Sequence, residues 1–187
     1  MEINLFIRFF VEKNLMMKIK QLLFGVTLLT LLLTSCSTTQ SVVDLPKQQD
    51  VQQSKRGKKK QINALIKYAK RYKGVPYKYA GKGPKNFDCS GFTRFVFKHI
   101  GYTLPGYSRG QATKGKKVAT KKIKKGDLVF FTGRKTGNRV GHVGLVISAN
   151  KQSFEFIHAS LKGVKINRYP TDTYYKKHFK FARRIIP

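Results

Sequence analysis

The sequence predicts an α+β fold, with N-terminal helices packed on a central antiparallel β-sheet, and three observations carry that expectation. An apolar spacing of helical period comes first, at Ile62, Leu65, Ile66, Ala69 and Tyr72. A second helix follows, opened by Asp88 as its cap. Beyond Lys125 the period changes to short strand-like runs separated by Gly, Asn and Lys clusters. Helices first and strands after is the order of a segregated α+β domain rather than of alternating βαβ units.

Taken in order, the chain begins with an address. Leu22 to Leu33 reads LLFGVTLLTLLL, an apolar run of 12 residues. A membrane-spanning helix needs about 20. With Lys18 and Lys20 before it, the run fits a signal peptide over residues 1–35. Leu33-Thr34-Ser35-Cys36 resembles a lipoprotein signal-peptidase box, so Cys36 is expected to become the lipidated first residue of the mature protein. Met16 or Met17 is a better-placed start for such a signal than Met1. Residues 36–60 are polar, ending in Lys55-Arg56-Gly57-Lys58-Lys59-Lys60, and read as a flexible basic tether. The domain then occupies 61–187.

Within it, the first helix runs over 61–73 with Gly74 as C-cap. A loop rich in Gly, Pro and Tyr leads to Phe87, and the second helix runs from its cap at Asp88 through Ile100, closed by Gly101. Residues 103–125 are read as irregular, with one short helix near Ser108. Strands are expected at Leu128–Phe131, Val140–Ile147, Ser153–His158, Val164–Asn167 and Phe179–Ile185.

The length of 187 residues suits one domain plus appendages. Lys+Arg number 39 against 8 for Asp+Glu, a net charge of +31. Removing the four basic and two acidic residues before Cys36 leaves +29, so the basicity belongs to the mature part. Such a field gathers polyanions. Nucleic acid is the default partner of an intracellular chain this basic, and export argues against it. The expected location is lipid-anchored to the cell envelope, at the outer membrane facing the periplasm, as a monomer.

Only Cys36 and Cys89 exist. With Cys36 lipidated, Cys89 has no disulfide partner and is either inert or reactive. Its place in the first helical turn after Asp88 favours a thiolate, because unpaired amides and the helix dipole lower a thiol pKa from about 8.5. Its own amide can donate to an oxyanion. A thiolate needs a base. His99 lies on the same helix about 15 Å away at 1.5 Å per residue, and His178 sits among terminal lysines. His142 and His158 lie in apolar strands, equidistant from Asn150. A simple hairpin makes them direct cross-strand partners with Cβ atoms roughly 5 Å apart. One imidazole can then face the thiol while the other orients it. A zinc site from the same three residues is the alternative, disfavoured because no acidic residue or further cysteine falls at ligand spacing.

At these residues the sequence resembles the NlpC-type family of papain-like cell-wall cysteine peptidases. Gly74-Val75-Pro76-Tyr77 and Phe87-Asp88-Cys89-Ser90-Gly91-Phe92 resemble its nucleophile block. Gly126-Asp127-Leu128-Val129-Phe130-Phe131, His142-Val143-Gly144 and Phe156-Ile157-His158-Ala159-Ser160 follow in the family's order. The resemblance implies a papain-like NlpC-type α+β fold, with Cys89 as nucleophile, His142 as base and His158 orienting it, and no metal or organic cofactor. It implies hydrolysis of peptidoglycan stem peptides, typically between D-glutamate and a diamino acid. Tyr77 would lie beside the thiol, and Asp88 and Ser90 would help to bind substrate. The bland readings are a loop-packing aromatic for Tyr77 and a helix cap for Asp88. The sequence departs from the family at Ala80-Gly81-Lys82-Gly83, where Gly-Gly is frequent, and at Gly106, where an Arg often follows Leu-Pro. Two rivals remain open: an amidase or acyltransferase on the same Cys-His site, and a non-catalytic wall-binding lipoprotein.

Overall fold

The computed structural model describes residues 48–133 and 137–187. The chain divides into two units, 1–45 and 46–187, and all described residues belong to the second. The signal peptide, Cys36 and the tether as far as residue 47 therefore lie outside the described residues.

The first helix, α1, is longer than expected and spans Gln48–Lys70. Residues 48–60, read from sequence as tether, are helical. Their Gln, Lys and Arg side chains lose little rotamer freedom in a helix, so propensity extends it without an apolar face. Residues 52–60 are all exposed, and burial begins only where the periodic apolar set begins, with Leu65 and Ala69 fully inside. Next come α2 (Cys89–Lys98) and the short α3 (Ser108–Gln111). Then follow β1 (Lys116–Val118), a 3-10 turn at Thr120–Lys122, β2 (Leu128–Thr132), β3 (Val140–Ala149), β4 (Phe154–Ser160) and β5 (Gly163–Tyr169). A one-and-a-half-turn α4 (Thr173–His178) leads directly into β6 (Phe179–Arg184).

The strands form one sheet in the order β1-β6-β2-β3-β4-β5, with every neighbouring pair antiparallel. The five predicted strands are present. β1 and α4 were not foreseen, because three residues of Lys-Lys-Val and a Thr-Tyr-Tyr-Lys-Lys-His run carry neither apolar period.

Both faces of the sheet are covered. On one, Leu128, Phe130, Val143, Leu145, Ile147 and Ile157 pack against Leu65, Phe92, Val96 and Phe97 of α1 and α2. On the other, Val129, Phe131, Val146 and Phe156 pack with Tyr175 of α4. The alternation along β2 and β3 sends successive side chains to the two faces. Asp127, 1 % exposed, fastens the start of β2 to the end of β6 through a two-pronged pair with Arg184, at 2.8 Å from Nε to Oδ1 and 2.8 Å from Nη2 to Oδ2.

Candidate active site

Asp88 caps α2 as the sequence predicts. Its backbone is extended, and its Oδ1 accepts from the Gly91 amide at 2.5 Å and from the Ser90 hydroxyl at 2.9 Å. Gly91 is glycine for a spatial reason, since a Cβ there would collide with the carbonyl of Gly81. That close approach seats the start of α2 against the 78–83 loop, which brings Tyr77, bridged to Phe87, alongside Cys89. The sulfur sits half-buried at the start of the helix and lines a cavity of about 560 Å³.

The electrostatics of the thiol differ from expectation. Burial pushes Cys89 up to about 11, and the neighbouring Asp88 carboxylate pushes the same way. Amides of Val143, Ser90 and Cys89 oppose this and lose. Burial is the larger cause, and the cap that organises the helix adds a negative charge near the sulfur that opposes the partial charges of the helix end.

The opposite wall of the cavity comes from a split in the sheet. β3 pairs with β4 from Ala149 back to Leu145, opposite Ile157. Before that point β3 continues against β2 as far as Val140, while β4 continues against β5 as far as Ser160. Into this divergence comes the amide of Val143, facing the sulfur. His142 and His158 are not the direct partners that the sequence suggested. The turn is centred between Lys151 and Gln152, with Ala149 opposite Phe154, and a bulge leaves Ile147 without a partner. Continuing the Leu145–Ile157 register puts Gly144 opposite His158, so the two imidazoles meet diagonally. Gly144 leaves the room for this, because a Cβ there would lie 2.6 Å from the Phe156 ring and 3.3 Å from the His158 Cβ.

The contact is nonetheless made. His142 Nε2 lies 2.8 Å from His158 Nδ1, and His158 Nε2 lies 2.9 Å from Asn167 Oδ1. Asn167 Nδ2 donates to Asp172 Oδ2 at 2.5 Å, and the other Asp172 oxygen accepts from the Tyr175 amide as the cap of α4. This chain fixes the protons. A carboxylate only accepts, so the Asn167 amide must turn its NH₂ to Asp172 and its oxygen to His158. His158 then carries its proton on Nε2, and its bare Nδ1 accepts from His142 Nε2–H. His142 is left with Nδ1 bare. Burial, aided by the neighbouring His158, lowers His142 well below its ordinary 6.5. Burial also lowers His158 to about 4, against the upward pull of Asn167 and Asp172. At neutral pH the arrangement is a neutral thiol beside a neutral imidazole. Both nitrogens of His158 are engaged, so the three-ligand metal arrangement is not the one formed.

Of the other expected residues, Tyr77 lines the cavity, and its hydroxyl is raised by burial first and by Cys89 second. Asp88 and Ser90 point into the loop: the Ser90 hydroxyl donates to Asp88 and lies 3.0 Å from the Gly106 carbonyl, and Lys82 Nζ sits 3.2 Å from Asp88 Oδ2. His99 stacks on Tyr68 with centroids 3.6 Å apart, well removed from the thiol. His178 is half-buried rather than free on the surface, with Nδ1 2.6 Å from the Thr132 hydroxyl. Sequence reasoning missed Asn167, Asp172 and Tyr175. Asn167 was hidden as the end of a strand, and Asp172 had only the weak signal of an N-cap before a six-residue helix.

Residues 74–184 match the NlpC/P60 family. Among curated relatives, the chain is 36% identical over 116 residues to the murein DD-endopeptidase MepS/murein LD-carboxypeptidase of Escherichia coli K12, covering 62% of this chain and 58% of that protein. It is 38% identical over 106 residues to the probable endopeptidase p60 of Listeria grayi, covering 57% of this chain and 19% of that one. The chain thus spans about a fifth of the p60 relative and somewhat over half of the Escherichia coli one. Among solved structures, an NlpC/P60 family protein of Bacillus cereus superposes with a TM-score of 0.60 at 34% identity, over 67% of this chain and 40% of that one. The NlpC/p60 domain of the peptidoglycan hydrolase SagA gives 0.54 at 30%, over 65% and 97%. Helices packed on a six-stranded antiparallel sheet are the papain-like fold these structures share, and the chain belongs to the NlpC/P60 family.

Proposed function

We propose that the protein is a peptidoglycan endopeptidase working through a Cys89–His142–His158 thiol mechanism. The observation that carries this is the bare Nδ1 of His142, held in that state by the His158–Asn167–Asp172 chain and opening with Cys89 on one cavity. As the sulfur attacks the wall-peptide carbonyl, its proton passes to His142 Nδ1. Because thiol and imidazole both rest neutral, that transfer accompanies attack rather than preceding it. The imidazolium formed on His142 is steadied by its own Nε2–H, which donates to His158 Nδ1. In this reading the Cys89 amide donates to the developing oxyanion, and the Tyr77 hydroxyl assists it. His142 then gives its proton to the departing amine, and water deprotonated by His142 clears the thioester.

The stem-peptide bond between D-glutamate and the diamino acid is the first reading of the substrate. The name of the Escherichia coli relative, a DD-endopeptidase and LD-carboxypeptidase, supplies the second. Export and anchoring through Cys36 complete the proposal, with the protein lipid-anchored at the outer membrane, facing the periplasm, and a surface of +29 that holds it on the wall in a salt-dependent way. Mass spectrometry of fragments from purified sacculi tests the chemistry. Cys89→Ala should stop fragment release with circular dichroism unchanged, the fragment masses naming the bond. Undiminished release by that variant sinks the proposal.

A further inference from the structure

The cavity wall carries two cations, of which Lys165 helps to lower His158 and neither contacts the thiol or His142. Among the described residues, Lys162 and Lys165 are the only lysines or arginines that line the cavity, and no Asp or Glu does. Lys165 is the register partner of His158, so its side chain leaves β5 on the sheet face that bears the imidazole chain. Its half-burial marks a side chain lying along the wall rather than free in solvent. Lys162 stands at the turn between β4 and β5, three residues before it. Among the described residues the ion pairs are Lys82 with Asp88, Arg168 with Glu155, and Arg184 with Asp127; neither cavity lysine joins one. The two ammonium groups, outside those ion pairs, thus border an open cleft that Tyr77, Tyr174, Tyr175 and Leu161 also line. A cation in a partly dehydrated cavity gains most from an anion that the ligand brings.

We propose that Lys165, with Lys162 behind it, forms a carboxylate subsite that selects substrates carrying a free carboxylate next to the cleaved bond. This rests on the hydrolase reading and names the substrate feature the site prefers. In a stem peptide the carboxylate comes from one of two sources: the α-carboxylate of a γ-linked D-glutamate, or the second carboxylate of the diamino acid. Neither lysine touches the reacting atoms, so both are specificity residues.

The test uses the full chain in detergent and three tripeptides: one with both carboxylates free, one amidated on the glutamate, and one amidated on the diamino acid. Cleavage by the unaltered protein should favour the free form over one amide about tenfold, the scale of one charge-assisted hydrogen bond, and the amide that suffers identifies the source. Lys165→Gln should erase the preference through KM with kcat little changed, and Lys165→Arg should restore it. Calorimetry of the same peptides on Cys89→Ala reads binding without hydrolysis. Equal binding of all three peptides there, or a preference that survives Lys165→Gln, overturns the subsite. Discrimination in binding without cleavage by the intact protein keeps the subsite and overturns the hydrolase reading instead.

Discussion

Two buried polar networks in this domain each end on an aspartate, and they do opposite things. Asp127 is 1 % exposed, and its oxygens are taken by Arg184 Nε and Nη2 and by the amide of Lys124 at 2.8 Å. That network borders a second cavity, of about 270 Å³, but both Asp127 oxygens are engaged within it, so it closes on itself and ties β6 to β2. Asp172 starts a chain of the same kind, through Asn167 to His158 to His142, but the last member, which lines the same cavity as Cys89, keeps one nitrogen bare. A closed network stabilises. An open one transmits a tautomer preference to the nitrogen that the proposed mechanism protonates.

Removing the closed network should show this most strongly. Asp127→Ala leaves the half-buried Arg184 guanidinium and the Lys124 amide without their carboxylate and should cost about 3 kcal/mol of unfolding free energy. Activity per folded molecule should be unchanged. Thermal melting with active-site titration checks both, and a loss of kcat without a loss of stability would contradict the division. Next in size is an acid effect from the open network. His158 titrates near 4 in the fold against 6.5 in the open chain. Because its folded value is depressed, its neutral form is favoured above 6.5, and stability drains away as pH falls from 6.5 toward 4. The drop is about 3 kcal/mol at 1.36 kcal/mol per unit, with His142 acting in the same direction. His158→Gln should flatten that limb in denaturant titrations across the window; an unchanged slope would mean that His158 is not buried neutral.

The fold was readable because its signals are local. The helical spacing from Ile62 to Tyr72, the Asp88 cap and the five apolar runs each follow from a few neighbouring residues. Cys89 and the two histidines were readable for the same reason. Their relation was only half readable. Centring the hairpin on Asn150 made them direct partners, whereas the turn is centred later and the bulge at Ile147 shifts the register back. Without that bulge, the Ala149–Phe154 register would set His158 opposite Leu145, a residue facing the helices, and the imidazoles would lie on different faces. Nothing in Val146-Ile147-Ser148 announces a bulge, since its cause is the packing of both faces at once. The thiol was misjudged for a related reason: the helix end is written in the sequence, but the burial that outweighs it is a product of the assembled cavity.

A smaller effect belongs to the far end of the open network. Asp172→Ala should lower kcat about tenfold, the cost of one lost orienting hydrogen bond in the chain. KM and melting temperature should move little beyond the loss of a cap on a six-residue helix. Asp172→Asn keeps an oxygen for the Asn167 NH₂ and should recover most of the rate. Should both variants match the unaltered protein, His142 takes its tautomer from elsewhere.

The smallest expected change separates two readings of Asp88. Its pair with Lys82 is largely exposed, with the lysine side chain 47% accessible, so Lys82→Ala should cost well under 1 kcal/mol. Asp88→Asn is the sharper probe. An asparagine oxygen still accepts from the Gly91 amide and the Ser90 hydroxyl, so the cap and the start of α2 survive. What the change removes is the negative charge beside the sulfur, one of the two causes that raise Cys89. The thiol should therefore titrate lower, and alkylation by iodoacetamide at pH 8 should quicken. If Asp88 is only a cap, KM for stem peptides stays where it was while alkylation accelerates. A rise in KM at constant stability would instead assign its carboxylate to the substrate.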